Sequence, residues 1–206
     1  MASERGLDRL LAFSDAVVAI ALTLLVLPLV DVVAEADDAP SVGALVSEHS
    51  DVFLGFGISF AVIWVLWRAH HQTLEHFASY DEVITGLHFV WLLTIVLLPF
   101  STELISVSDP MTAAMPVYVT TLLVSVVALR LIVRQGRRRP ALLRDDAAAQ
   151  AWRDGPEDIV LIPLLAVVLV ITIVAPGLGA YPMLLLFLQA PVAWVRARLG
   201  PGPRTG

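Results

Sequence analysis

The sequence contains neither cysteine nor lysine. Without cysteine it can form no disulfide framework, no thiolate metal site and no cysteine nucleophile. Its formal net charge of −6 argues against nucleic acid as a partner. Of its 206 residues 58% are hydrophobic, and the mean hydropathy is +0.82. That content is far above the share found in soluble domains, so the composition indicates a membrane protein.

Six apolar segments approach the roughly 20 residues that a membrane-spanning helix requires. They are Leu10–Val30, Val42–Trp67, Val83–Ile105, Pro116–Val133, Ile159–Ala175 and Leu178–Val195. We therefore predict an all-α, polytopic membrane protein in which residues 1–206 form a single six-span unit in the lipid bilayer. The longest polar stretch, Arg134–Glu157, has helical composition over Ala141–Trp152, which predicts a short interfacial helix. No soluble partner is indicated.

The basic residues indicate the orientation. All 13 are arginines: Arg130 lies in the last turn of the fourth span, and with six spans each of the others falls at the N-terminus, in the second or fourth connection, or at the C-terminus. The other connections carry acidic residues instead. Because cytoplasmic connections carry the Lys/Arg excess, both termini are predicted to be cytoplasmic. The arginine- and alanine-rich composition is typical of a GC-rich bacterial source, which would place the protein in the bacterial inner membrane.

The first span carries a stripe of bulky side chains. On a helical wheel of 100° per residue, one face collects Phe13, Val17, Ile20, Leu24, Leu27 and Asp31. Such a stripe favours a pore lining, although apolar residues on a spanning helix also serve as ordinary lipid-facing or packing residues. Asp31 either concentrates cations at a pore mouth or is a solvated acid at a helix end. One subunit offers one such stripe, so a pore requires a closed ring of subunits.

Asp15 lies within the first turns of the same span, roughly opposite the stripe. A carboxylate at that depth needs hydrogen bonds or a cation to stay ionised. Available groups are Arg9 and Ser14 nearby in sequence, and Trp67, Arg68, His70 and His71 at the end of the second span. We predict a structural hydrogen-bond network between helix ends, with direct contact to a permeating ion as the alternative.

These residues also resemble a known family. Arg9-x-x-x-Phe13-Ser14-Asp15, followed by the apolar run 16–27, is similar to the first-helix signature of the endosomal/lysosomal potassium channels, and in particular of their prokaryotic six-helix members. Trp67-Arg68-Ala69-His70-His71 and Leu92–Thr102 agree with the same family. The resemblance implies a homotetramer that passes potassium passively, without a cofactor and without the carbonyl-lined filter of ordinary potassium channels. The absence of a Thr-Val-Gly-Tyr-Gly run fits that expectation.

The resemblance also implies roles for individual residues. The hydrophobic constriction maps to Ile20, with further apolar rings at Leu24 and Leu27, and a selectivity-related threonine layer maps to Thr23. Arg9, Phe13, Ser14 and Asp15 of the signature, with Trp67 and either His70 or His71, are expected to form the structural or gating network. Potassium is the permeant ion, and no resident metal is expected.

Two rival functions remain open. His70-His71-x-x-x-Glu75-His76 has metal-ligand residue types, but a histidine-box enzyme needs several such clusters, and the chain has 5 histidines in all. A secondary transporter of a small ion or solute is the stronger rival, since Pro163, Pro182 and Pro191 could break helices as transporters require. Against it, no span carries a charge at its middle and no internal repeat is visible. The sequence favours a channel and not an enzyme.

Overall fold

A computed structural model describes residues 4–36, 41–107, 113–156 and 160–188, and every regular element in these ranges is helical. The α-helices are α1 (Glu4–Leu24), α2 (Leu27–Ala34), α3 (Val42–Glu48), α4 (Ser50–Leu74), α5 (Glu82–Val107), α6 (Ala114–Arg138), α7 (Ala147–Asp154) and α8 (Leu161–Val174). Short 3₁₀ helices cover Pro140–Leu142, Pro176–Leu178 and Tyr181–Leu188. The predicted all-α class is confirmed.

Among the described residues, four helical segments are long and apolar enough to cross a membrane: Arg5–Ala34, Ser50–Leu74, Glu82–Ser106 and Ala114–Arg138. They correspond to the first four predicted spans, so the chain is a multi-pass membrane protein. The second begins at Ser50 and not at Val42, because His49 ends the separate helix α3. The fifth predicted span, Ile159–Ala175, contains the shorter apolar helix α8.

The sixth predicted span, Leu178–Val195, is not an α-helix over the part that the structure describes. Residues Tyr181–Leu188 form a 3₁₀ helix, and residues 189–195 lie outside the described residues. The chain enters this segment through Pro176–Leu178 and through Gly179, whose φ of +52° is a left-handed conformation that favours glycine. Pro182 follows at once and lacks the amide proton that an α-helix would use. Hydropathy alone does not register these breaks.

The first predicted span, Leu10–Val30, is also corrected. It starts earlier, at Glu4, and ends later, at Ala34, but it is interrupted between α1 and α2. Pro28 lies in the first turn of α2, and its ring nitrogen cannot donate to the carbonyl of Leu24. The amide of Val26 instead donates to the carbonyl oxygen of Thr23 at 3.2 Å. The stripe that the wheel treats as continuous is therefore divided between two helices.

The other face of this first segment builds the core. Its buried positions recur at helical spacing: Leu7, Ser14, Val18, Ala21, Leu25 and Val32. Val18, Ala21 and Leu25 join Trp91, Ile95 and Leu98 of α5 in the main hydrophobic cluster, together with residues of α4, α6 and α8. Helix α5 is thus the centre against which the first segment packs, and this packing fixes which face of α1 stays open.

A second cluster lies at one end of the bundle, where the connection after α4 meets the connection after α6. Phe77 packs so closely on Gly136 that a Cβ added there would lie 2.5 Å from its ring. A helix is present in the predicted region as α7, shorter than expected, with the Asp146 carboxylate accepting from the amide of Ala149 at 2.7 Å. The contact between Phe77 and Gly136 holds the end of α6 against the connection that follows α4.

Asp81 ties the start of α5 to the end of α6. Its carboxylate accepts from the amide of Ile84 at 2.9 Å, from Gln135 at 2.7 Å and from Arg139 at 3.3 Å. Burial raises the pKa of Asp81, but these hydrogen bonds and the charge of Arg139 outweigh it and hold the pKa below its ordinary value. The membrane edge of α5 is therefore held by an ionised carboxylate.

Candidate functional site: the first helix and its polar contacts

The open face of the first segment carries large apolar side chains. Ile20 is 59% exposed, Leu24 41% and Leu27 55%, and Phe13 lies on the same face. Val17 is half-buried against the core. Thr23 is exposed, and its hydroxyl donates to the carbonyl of Ile20 at 2.7 Å. A row of such side chains needs lipid, a pore or another subunit beside it, because large exposed apolar patches on monomers are rare.

The interruption after Leu24 opens a cavity of about 390 Å³ between the first segment, α4 and α5. Leu24, Leu27 and Asp31 line one side, and Thr102 and Glu103 of α5 line another. Asp31 itself is exposed on α2. Irregular backbone at membrane depth is tolerated where it is buried in protein or lines water. The exposed face therefore borders, at its Asp31 end, a cavity that is partly lined by polar side chains.

Asp15 is held by a side chain of α4. The indole nitrogen of Trp67 donates to its Oδ1 at 2.7 Å. The Trp67 ring in turn packs on the ring of His71, with centroids 5.3 Å apart, and on that of Trp64 at 5.0 Å. Asp15 is half-buried, so this hydrogen bond links α1 to α4 away from the exposed stripe.

Ser14 is fully buried and faces α5. Its Oγ lies 2.6 Å from Nε2 of His88, and Nδ1 of His88 lies 3.0 Å from Nε2 of His70. The Ser14 hydroxyl also donates to the carbonyl of Leu10 at 2.8 Å. One hydroxyl has one proton, so Ser14 accepts from His88 Nε2–H, and a neutral His88 then accepts from His70 at Nδ1. The chain of hydrogen bonds runs from α4 through α5 to α1.

His70 is further fixed by aromatic stacking. Its ring lies 3.8 Å from that of Trp91, centroid to centroid, with an angle of 9° between the planes. Both rings are buried. The Ser14–His88–His70 chain and the Asp15–Trp67 hydrogen bond therefore anchor neighbouring residues of α1 to two different helices.

The predicted network residues separate into two groups. Ser14 and His70 meet through His88, Asp15 meets Trp67, and His71 touches the Trp67 ring and lies 3.5 Å from Glu75. Arg9 is exposed, and no hydrogen bond or ion pair joins it to Asp15 among the described residues. Phe13 lies on the open face, away from these hydrogen bonds.

His88 is the network residue that sequence reasoning missed. It is 2% exposed in the second turn of α5 and bridges Ser14 to His70. A signal was available, because an ionisable side chain inside an apolar span is a functional or structural candidate by itself. The spacing within one helix could not identify its partners, which come from two others.

The histidine-rich segment after the second span does not assemble a metal site in the part of the chain that the structure describes. No group of three or more His, Asp or Glu side chains there could hold a metal ion. His70 turns into the bundle toward His88, while His76 stacks on Trp152 with centroids 5.0 Å apart. The metalloenzyme alternative has no support from this geometry.

The fold and these contacts define a multi-pass, all-helical membrane protein whose first helix is anchored on one face and open on the other. Residues 9–99 match the family described as endosomal/lysosomal potassium channel TMEM175. Over that segment the chain is similar to this family, which supports the resemblance seen in the sequence. The family is described as an ion channel and not as an enzyme.

Individual proteins that are similar to this chain are also named as channels. A potassium channel of Chamaesiphon minutus is 37% identical over 50% of this chain and 50% of its own length, and one of Streptomyces collinus is 31% identical over 48% and 47%. The zebrafish endosomal/lysosomal proton channel TMEM175 is 26% identical over 69% of this chain and 27% of its own length. The chain thus matches half or less of the length of these curated relatives.

The fold is also similar to that of a channel whose structure has been solved. That structure is described as the crystal structure of a lysosomal potassium-selective channel TMEM175 homolog from Chamaesiphon minutus. The two structures superpose with a TM-score of 0.63, cover 92% of this chain and 97% of the other, and share 23% sequence identity. The similarity extends to the region after residue 99, where the family match ends.

Proposed function

We propose that this chain is one subunit of a passive, potassium-permeable cation channel in which the first helices of four copies surround a common axis. The observation that carries the proposal is the division of α1 into an anchored face and an open apolar face with Ile20 and Leu24. The potassium-channel names of the bacterial relatives supply the ion. Six spans and cytoplasmic termini follow from the arginine distribution and belong to the same proposal, as does the bacterial inner membrane.

In this channel Ile20 forms the constriction, and Leu24 and Leu27 form further apolar rings. Rings of bulky apolar side chains can close a pore by dewetting. Thr23 lies beside them, and Asp31 with the acidic outer connections raises the cation concentration at the mouth. Potassium is more weakly hydrated than sodium and gives up water more easily in such a passage.

The polar contacts position this lining. We infer that the Ser14–His88–His70 chain and the Asp15–Trp67 hydrogen bond set the rotation of α1, so that the apolar side chains point to the axis. Arg9 and Phe13 lie at the same end of α1, and His71 lies beside Trp67 on α4. A change in the contacts of these three residues would couple to gating. The proposed role of all seven signature and second-span residues is structural or gating, without direct contact to the ion.

The test is the reversal potential of purified protein in a planar bilayer, with potassium on one side and sodium on the other. A current that reverses on the potassium-selective side supports the channel. Absence of current, with saturable coupled flux in vesicles, would support the secondary transporter instead. Chemical cross-linking in the membrane reports the oligomeric state independently of conduction.

The Ile20→Asn variant tests the constriction. A polar ring should increase the leak and reduce the discrimination between potassium and sodium. The matched control is Ile173→Asn on α8, since Ile173 is 60% exposed and Ile20 is 59% exposed. Equal currents from both variants, at equal amounts of assembled protein, would remove Ile20 from the constriction.

Proton permeation is a second candidate because several animal relatives are named proton channels. The same bilayer, with a proton gradient at symmetrical potassium, separates the two ions. A shift of the reversal potential toward the proton equilibrium potential supports proton permeation. An unchanged reversal potential contradicts it and leaves the potassium proposal standing.

A further inference from the structure

The outward face of α6 changes character along its length. Positions at spacings of three and four residues form one stripe, partly or fully exposed throughout: Val117, Thr120, Val124, Val127 and Leu131, followed by Arg134 and Arg138. The opposite face carries the buried residues that pack on α5 and α8. From Val117 to Leu131 the stripe runs about 21 Å along the axis. It is thus apolar over most of a bilayer core and becomes cationic at one end.

The two arginines are unpaired in the part of the chain that the structure describes. Both are exposed, and neither side chain takes part in a hydrogen bond, an ion pair or a ring contact. Their neighbours differ: Arg139 pairs with Asp81 at 3.3 Å, and Arg153 pairs with Asp154 at 2.8 Å. Arg134 and Arg138 therefore lie at the cationic end of the apolar stripe without a side-chain partner among the described residues.

The position of the two arginines along the membrane normal follows from a contact between α6 and the start of α5. Gln135, between them in sequence, donates to Asp81 at 2.7 Å, and Asp81 directly precedes the first residue of α5. This is the level at which a spanning helix leaves the hydrocarbon. Arg134 and Arg138 are one helical turn, or about 6 Å, apart. Residues four apart project from the same face of a helix, so both guanidinium groups can reach the oxygens of one phosphodiester, each through two N–H donors.

We propose that Arg134 and Arg138 bind the phosphodiester headgroup of an anionic phospholipid, whose acyl chain lies along the Val117–Leu131 stripe. The charge of the pair and its alignment with the apolar stripe together favour this occupant over a soluble anion. Anionic lipids attract basic residues next to spanning helices in this way. The site is independent of the pore and of the direction in which the chain is inserted.

Native mass spectrometry of detergent-purified protein tests the proposal, with phosphatidylglycerol and phosphatidylcholine as competing probes. The wild-type protein should retain phosphatidylglycerol in preference. Arg134→Gln combined with Arg138→Gln should weaken that retention about tenfold or more. The matched control combines Arg139→Gln with Arg153→Gln, which removes the same charge from arginines that are already paired, and should retain the lipid.

Two further arms separate the other occupants. Displacement of the lipid by millimolar inorganic phosphate would make this a site for a soluble anion and overturn the proposal. Because the chain has no cysteine, an Arg134→Cys variant can be cross-linked specifically. Efficient cross-linking between subunits would mean that a second copy covers the stripe, and equal lipid retention by both double variants would also contradict lipid binding.

Discussion

The two faces of the first helix have different determinants. The inner face is complete within one subunit, since Ala21 is 1% exposed and Ser14 is fully buried with its hydroxyl bonded on both sides. The outer face carries Ile20 and Leu24, which are 59% and 41% exposed. The inner face is therefore determined by packing within one subunit. The outer face is determined by the lipid, pore or neighbouring subunit that lies beside it.

This difference separates stability from function. A change on the inner face should alter the free energy of unfolding of the subunit. On the outer face it should alter conduction or assembly and leave subunit stability nearly constant. Paired substitutions on the two faces therefore test the proposed architecture.

The largest expected effect comes from the same substitution made on both faces. Ala21→Leu inserts extra methylene groups into the packed contact with α5, and overpacking of this kind costs about 1–3 kcal/mol. Ala19→Leu adds the same atoms two residues earlier, at an exposed position, and should change the free energy of unfolding by less than about 0.5 kcal/mol. Unfolding in mixed detergent micelles measures both. Equal losses would show that both faces of α1 are packed.

The next effect concerns Ser14. Ser14→Ala removes the acceptor for His88 Nε2–H and leaves that donor unpaired inside the bundle, which should cost about 1–2 kcal/mol. Ser14→Thr keeps the hydroxyl and separates its loss from the change in volume. The same micelle unfolding experiment applies. If combining Ser14→Ala with His88→Leu costs no less than the sum of the two single changes, the Ser14–His88 hydrogen bond contributes nothing.

A smaller effect is expected for the link between α1 and α4. Asp15→Asn and Trp67→Phe each disturb the 2.7 Å hydrogen bond, and a double-mutant cycle should give a coupling energy of roughly 0.5–1.5 kcal/mol. The cycle is measured on the free energy of unfolding and on the potassium-to-sodium permeability ratio. Coupling in stability without coupling in the permeability ratio supports a positioning role. The opposite result would mean that Asp15 acts on the ion directly.

Much of this architecture is legible in the sequence because membranes leave the backbone few choices. The first four spans follow from hydropathy, and the Arg9-to-Asp15 signature carries the resemblance to the family. The helix break was also legible in principle, since Pro28 removes a donor. The helical wheel nevertheless places Leu27 and Asp31 on one stripe with Ile20, because it assumes an uninterrupted α-helix.

What the sequence could not supply is contact between helices. His88 joins residues of α1 and α4, and nothing in the order of residues along α5 specifies either partner. The prediction of a sixth α-helical span after Pro176 differs from the structure for another reason. Its composition is as apolar as that of a spanning helix, but Gly179 and Pro182 set the backbone, and hydropathy does not describe backbone conformation.

The smallest expected effect lies on the outer face, at Asp31. Asp31→Asn removes one exposed charge per subunit beside the cavity at the helix break, and it should lower potassium conductance about twofold at 10 mM salt, where the Debye length is about 30 Å. At 1 M salt the length is about 3 Å and the difference should vanish. Single-channel conductance across this range measures it, with Asp51→Asn on α4 as the control. A reduction that persists at high salt would place Asp31 in the fold of α2 and not at a pore mouth, because screening removes a surface potential but leaves a packing defect unchanged.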